Sequence, residues 1–311
     1  MIAIALAVVA ASAIAQGVPS PQHVVIPAQA GIHAATSPPR GEVDPGLRGD
    51  DGGYPKGGRP RRIMSISECT DQLVLALVPP DRIVSVTWLS RDSVTSLMAR
   101  AAAGVPVNHG LAEEVLRDSP DLVVADSFAT PATRALLRRL HVPMIEVASA
   151  GSVAEIRVAT RQVARAVGAS PRGEALLARM DRQWADLARD PGPRLRVAAW
   201  DGGGFGAARG GLFDAVLTAA GAINIVPSAG LPDPERLLVA APTLLVRGSG
   251  GAPDLRANVA DHPVIRAAWP GYRSVTVPAA AYFCGTPFIG DAALAVRDRL
   301  RAAATRRGAS R

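Results

Sequence analysis

The most reactive side chains in this sequence are two cysteines, Cys69 and Cys284. Each follows a β-like run and opens a helical one, a position where the helix N-terminus favours a thiolate. Paired with His109, such a thiolate would make a nucleophile, and a secreted α/β enzyme is one reading of the chain. The count is too low for a disulfide scaffold or a Cys-rich zinc site. No Gly-x-Ser-x-Gly elbow and no His-Glu-x-x-His pair occurs. His262 reads as a capped turn before Pro263, and His141 as the end of a helix. His109 lies in a loop, where a surface role outweighs a ligand-facing one.

Asp201-Gly202-Gly203-Gly204-Phe205-Gly206 follows a β-like run. A dinucleotide site would need an acidic residue about 20 positions on, at the next strand end. There the chain reads Ala222 to Val226 and then Pro227. The turn is therefore read as a close approach that makes room for a bulky ligand. Loops after strand ends are the default ligand positions in an α/β lobe. They carry Ser67 to Thr70, Trp88 to Asp92, Ser127 with Phe128, Asp201 to Phe205, Arg247 to Ser249, and Tyr282 to Cys284. Five of the 12 aromatics fall there: Trp88, Phe128, Phe205, Tyr282 and Phe283. They are suited to clasp a flat macrocycle, while Arg91 and Arg247 are suited to carboxylates or amides. A bare iron ion wants convergent His, Tyr, Asp or Glu. The loops offer mainly Tyr282, Glu68, Asp92 and Asp201, so a pre-chelated metal suits them better. No metal set and no cofactor is assigned.

Alternating β and helical patterns must position these loops. Strand-like runs cover 62–66, 82–86, 121–125 and 143–147, with helical stretches at 70–77, 111–117 and 130–140 between them. The alternation implies parallel pairing. A strand-free helical region follows from Ser152 to Arg189, broken at Gly168-Ala169-Ser170-Pro171. Leu176, Leu177, Met180, Trp184 and Leu187 form one stripe on its second helix. Strands resume at 195–200, 243–247 and 274–277, and a last helix covers 288–304.

The 311 residues suffice for about two domains, and 48% apolar against 20% charged residues exclude a wholly disordered chain. Net charge is +7; Lys56 is the only lysine, so 33 basic residues are arginine. They are scattered rather than clustered in a stripe, which argues against nucleic acid. Residues 1–15 read as a signal peptide ending at Ala13-Ile14-Ala15, although no basic residue precedes the apolar run. Residues 16–60, with His23 and His33, read as a disordered leader. Within it, "VIPAQAGIH" and "DPGLRGDDGG" resemble translated intergenic repeats. The expected layout is an N-lobe at 61–150, linking helices at 151–190, a C-lobe at 191–304 and a basic tail at 305–311.

The lobes share a local sequence. Glu113 to Val124 (EEVLRDSPDLVV) recurs as Glu235 to Val246 (ERLLVAAPTLLV), with Glu near a helix start, Pro seven residues later and a strand beyond. The blocks RIMSISECTDQL at 62–73, NHGLAEEVL at 108–116, PDLVV at 120–124 and CGTP at 284–287 resemble the periplasmic substrate-binding proteins of ABC importers for iron–siderophores, haem and vitamin B12. The resemblance covers about 62–304. It implies two Rossmann-like α/β lobes joined by one long backbone helix (the class III arrangement), a non-catalytic monomer in the periplasm, and a ligand held between the lobes. That ligand would be a corrinoid, a ferric siderophore or haem. It also implies a partner permease dimer with its ATPase, met by one acidic residue per lobe, here Glu113 and Glu235. Cys69 and Cys284 would face the cleft from opposite lobes. A bridge would need Cα atoms within about 7 Å and would lock a cleft that must release ligand. Free thiols are the first expectation and the bridge the second. A sensor that kept the fold without a transporter is the remaining alternative.

Overall fold

A computed structural model describes residues 58–231, 233–250 and 262–309. The signal peptide and nearly all of the leader, with His23 and His33, lie outside the described residues. The folded part already includes residues assigned to the leader: Pro60 is buried and its carbonyl accepts from Arg82 Nε at 2.9 Å.

The N-lobe is a five-stranded parallel sheet, with strands β1 (Ile63–Ser65), β2 (Ile83–Thr87), β3 (Val107–Asn108), β4 (Leu122–Asp126) and β5 (Met144–Val147) in the order β3-β2-β1-β4-β5. Its helices are α1 (Glu68–Leu77), α2 (Ala99–Ala102), α3 (Ala112–Asp118) and α4 (Pro131–Arg139). The two-residue β3 has no apolar run of its own, so the sequence carries no strand signal there. The period-2 alternation of a strand decides the faces. Ile63, Leu122 and Val124 pack against α1, while Met64, Val123 and Ala125 pack against α3 and α4. Covered on both sides, these strands read as unbroken apolar runs.

Two helices follow, α5 (Val153–Ala166) and α6 (Ser170–Arg189). Twenty residues of α6 span about 30 Å. Ala159, Val163 and Ala164 of α5 belong to the N-lobe core, whereas Leu177, Met180 and Leu187 of α6 belong to the C-lobe core. The helices touch closely at Gly173, where a Cβ would lie 2.5 Å from that of Ala164.

The C-lobe is a four-stranded parallel sheet of β6 (Arg196–Trp200), β7 (Ile223–Asn224), β8 (Leu244–Ser249) and β9 (Ser274–Pro278), in the order β7-β6-β8-β9. Its helices are α7 (Leu212–Ala219), α8 (Pro234–Ala240), α9 (Pro263–Ala268) and α10 (Ile289–Ala309). α10 continues through most of the segment expected as a basic tail. Arg179 grips Asp291 with two bonds of 2.7 and 2.6 Å, and Gln183 Nε2 adds a third at 2.7 Å, fixing α6 to α10.

The repeat is structural as well as sequential. α3 and α8 each have seven residues, with Glu113 and Glu235 second. The strand before each ends in a buried asparagine, Asn108 or Asn224, whose Oδ1 accepts from the N–H two residues on.

Candidate functional site

All the strands of a parallel sheet end on one edge, and ligands bind outside those ends. In the N-lobe that edge is stiffened by a buried polar network. Thr70 Oγ1 lies 2.8 Å from Ser65 Oγ and 2.7 Å from Ser67 Oγ, and Ser67 Oγ accepts from the Asp126 N–H at 3.1 Å. Asn108 Nδ2 donates to Ser65 O and to Ser85 Oγ, both at 2.9 Å. The exits of β1, β3 and β4 are thereby tied together.

The lobes meet across these edges. The Ala280 N–H donates to Val94 O at 2.8 Å, and a Cβ on Gly250 would lie 2.7 Å from Val94 Cγ1. Cys69, in the first turn of α1, is disulfide-bonded to Cys284, beyond β9, with Cα atoms 5.1 Å apart. This corrects the expectation of two free thiols. β1 and β9 both deliver their exits to the same point, and the lobes stand close enough to bond there. It also removes the thiolate nucleophile on which the enzyme reading rested, because both sulfurs are used in the bond. Beside the bridge, Phe128 of one lobe stacks on Phe283 of the other at a centroid distance of 6.1 Å.

The bridge and the phenylalanine pair divide the cleft in two, since Cys69, Phe128 and Phe283 line both of its cavities. The inner cavity, about 280 Å³, lies against Val147 to Gly151, Leu212 and Tyr282. The outer, about 220 Å³, is lined by Glu68, Trp88, Leu89, His109, Gly110 and Thr130 among others. Its rim is aromatic: Trp88 is 53%, Phe128 65% and Phe283 47% exposed.

Several expected site residues lie elsewhere or serve the fold. Arg91 Nη2 donates to Val105 O at 2.7 Å, within its own lobe. Arg247 lines a different cavity with Leu245, Ile265 and Trp269. Tyr282 is buried and stacks on Phe213 at 4.0 Å, while the Gly202 N–H donates to its hydroxyl at 3.2 Å. Burial pushes its phenol up to about 12. Asp201 Oδ1 accepts from the Phe205 N–H at 2.9 Å, closing their own turn. Two glycines of that turn make room for backbone: a Cβ on Gly202 would lie 1.6 Å from Gly250 O and one on Gly206 2.7 Å from Ser228 O. Ser127 is exposed and shares a hydrogen bond with Ser149.

Two residues gain importance. His109, read as a surface loop residue, stands on the outer cavity, its Nδ1 3.0 Å from Glu114 Oε1. Burial alone would raise the Glu114 carboxyl, but bonds from the His109 side chain and from the His109 and Leu111 backbone outweigh it and hold the carboxyl low. Asp126 lines the inner cavity and is raised, burial outweighing the hydrogen bonds it accepts from Phe128, Ser67 and Ala129. Its signal was its place as the last residue of β4. His262, read from the sequence as a capped turn residue, is the N-cap of α9, accepting from the Val264 N–H through Nδ1. Among the described residues no cluster of three His, Cys, Asp or Glu is placed to hold a metal.

Two parallel α/β lobes on a helical spine, with an aromatic-rimmed cleft at the strand exits, define a two-lobe solute-binding protein. The chain belongs to the periplasmic binding protein family, whose model matches residues 63–267. Solved structures agree in fold. A periplasmic heme-binding protein from Roseiflexus sp. RS-1 is 24% identical over 79% of this chain and 100% of its own, with a TM-score of 0.62. The periplasmic vitamin B12-binding protein of Vibrio cholerae is 19% identical over 78% and 98%, with a TM-score of 0.58. An Fe3+-hydroxamate transport protein of Saccharomonospora viridis is 18% identical over 78% and 93%, with a TM-score of 0.57. Among curated proteins none matches the chain in sequence. No described helix is long and apolar enough to cross a membrane.

Proposed function

We propose that this chain is the periplasmic solute-binding component of an ABC importer. It holds a metal chelate (a corrinoid, haem or a ferric siderophore) at the cleft and presents it to a permease dimer with its ATPase. The observation that carries the reading is the exposed rim of Trp88, Phe128 and Phe283, drawn from both lobes at the strand exits. Large π faces left in water suit a broad, partly apolar ligand. The heme, vitamin B12 and hydroxamate proteins of like fold support the ligand class. Neither cavity reaches the roughly 300–1,000 Å³ of an enclosing small-molecule site, so the chelate lies across the mouth, on the rim. Catalysis has no part in this reading. Glu113 and Glu235, exposed at matching places on the two lobes, are the docking points for the permease halves.

Trp88 is the one tryptophan on the rim; Trp200 and Trp269 are buried and Trp184 packs on the C-lobe core. Titration of intrinsic fluorescence with cobalamin, haemin and a siderophore panel should therefore give a saturable change. Trp88→Phe should remove most of it. A flat response to every chelate would refute the carrier role, and binding without uptake in a reconstituted transporter would favour a sensor.

A further inference from the structure

The outer cavity holds one side chain that is built to donate an electron pair. His109 lines it together with Trp88, Phe128 and Phe283, and its side chain is 63% exposed. The loop around it is pinned. Asn108 Nδ2 donates to Ser65 O and its Oδ1 accepts from the Gly110 N–H, both at 2.9 Å. Gly110 takes the left-handed conformation, φ 73°, and a Cβ there would lie 3.1 Å from Ile66 O, so the loop presses on the exit of β1. Glu114 completes the hold. Its Oε2 caps α3, accepting from the His109 N–H at 2.7 Å and the Leu111 N–H at 3.2 Å. Its Oε1 lies 3.0 Å from His109 Nδ1.

A carboxylate only accepts hydrogen bonds, so the proton of the neutral ring sits on Nδ1 and the lone pair on Nε2. Carboxylate–imidazole pairs of this kind orient a histidine for a metal and raise its basicity. The fold does not require the pair. The matching joint of the C-lobe carries Ile225 after its asparagine and Arg236 after its glutamate, and α8 is capped by Asp233 instead. A flat chelate laid on the aromatic rim would present its metal near the middle of its plane, above the cavity that His109 lines.

Resting on the chelate-carrier reading above, we infer that His109 Nε2 is an axial ligand to the metal of the bound chelate and that Glu114 positions its ring. The Nε2–metal bond forms as a metal–water bond breaks; the displaced water leaves the cleft and no oxidation state changes. The cleft therefore favours planar macrocycles with an exchangeable axial site over chelates whose metal is already saturated.

The test is titration of the full chain, followed by calorimetry and visible absorption, with four probes. Aquocobalamin and haemin have an exchangeable axial position; cyanocobalamin and ferrioxamine B have none. Aquocobalamin should bind about tenfold or more tightly than cyanocobalamin, from which it differs only at that position. Its bands should shift to those of an imidazole complex, and haemin should show the corresponding Soret shift. His109→Ala should abolish both shifts and close the gap between the two cobalamins. Glu114→Gln keeps the cap of α3 and should weaken the aquocobalamin complex by about tenfold, with cyanocobalamin unaffected. An unaltered aquocobalamin affinity in that variant would remove the positioning role of Glu114. Binding without an imidazole signature, or a signature that survives in His109→Ala, would overturn the axial role and leave the carrier reading standing. Failure of all four probes to bind would overturn both.

Discussion

Ser119 and Ala241 hold the same left-handed backbone conformation, φ 44°, one residue after the matched helices α3 and α8 and one before the buried prolines Pro120 and Pro242. In both, the cap N–H bonds back to the helix, Ser119 to Val115 O at 3.0 Å and Ala241 to Leu237 O at 2.9 Å. Glycine usually fills such a cap, because a Cβ there costs about 1–2 kcal/mol. Ala241→Gly should raise stability by roughly 0.5–1 kcal/mol, after subtracting the added freedom of the unfolded chain. Urea denaturation measures this, and a lower midpoint would count against strain at the joint.

The same joints hold Glu113 and Glu235 at equivalent places. Two matched negative points suit a two-fold permease dimer. Rim charges govern on-rate and salt dependence more than stability. Glu113→Ala with Glu235→Ala should leave ligand affinity and melting temperature nearly unchanged while impairing uptake in a reconstituted transporter. Normal uptake by the double variant would show that the pair only favours the helix dipoles, at about 0.3–1 kcal/mol each.

The bridge across the cleft predicts a titration and a motion. Unfolded, unreduced protein should show no free thiol, and reduction should release both. In the chain-entropy treatment, a loop of 215 residues stabilises the fold by about 5 kcal/mol, so Cys69→Ser with Cys284→Ser should lower the urea midpoint clearly. With the bond intact, the radius of gyration should barely change on adding ligand. After reduction, opening about the α5–α6 link should become visible by small-angle scattering. Equal scattering changes before and after reduction would show that the bridge does not restrain the lobes.

Stability should fall as pH rises. Burial pushes the Asp71 carboxyl up to about 8, against bonds from Ser65 and Thr87 that favour the charged form, and the Glu68 charge adds to the rise. The unfolded chain releases that proton near about 4. Between those values the native state binds the extra proton, so the stabilisation is complete below about 4 and is lost as pH climbs towards about 8. Glu68, also raised, acts in the same direction. Melting temperatures should therefore drop from about pH 5 to about pH 8, and Asp71→Asn should flatten the profile. A wild-type curve rising through this window would contradict the burial argument.

The parts that sequence disclosed are those governed by local periodicity. Ile63, Met64, Val123 and Val124 alternate between two covered faces, and the stripe of Leu177, Met180 and Leu187 marks the spine. The same rule applied to β8 accounts for Arg247. It alternates with Val246 and shares its side of the sheet with Leu245, which leads it to α9 rather than to the cleft. What periodicity cannot supply is the distance between lobes. That distance decided whether Cys69 and Cys284 would bond, and the approach of two neighbouring loops within the C-lobe decided that Gly202 faces Gly250. Burial depth was equally hidden: Glu68, the first residue of α1, and Tyr282 both follow strand exits, yet both are buried, and Tyr282 stacks on Phe213 in the core.

The bond between Cys69 and Cys284 also changes the connectivity of the molecule. Eight of the nine described strands, the spine and helices α3 and α8 become one covalent macrocycle, and two tails leave it. One tail carries β1, which returns to the middle of the N-lobe sheet between β2 and β4; the other carries α10, which returns to α6. A single protease cut anywhere within the ring therefore leaves one molecule held by a covalent link, and its two pieces separate only after reduction.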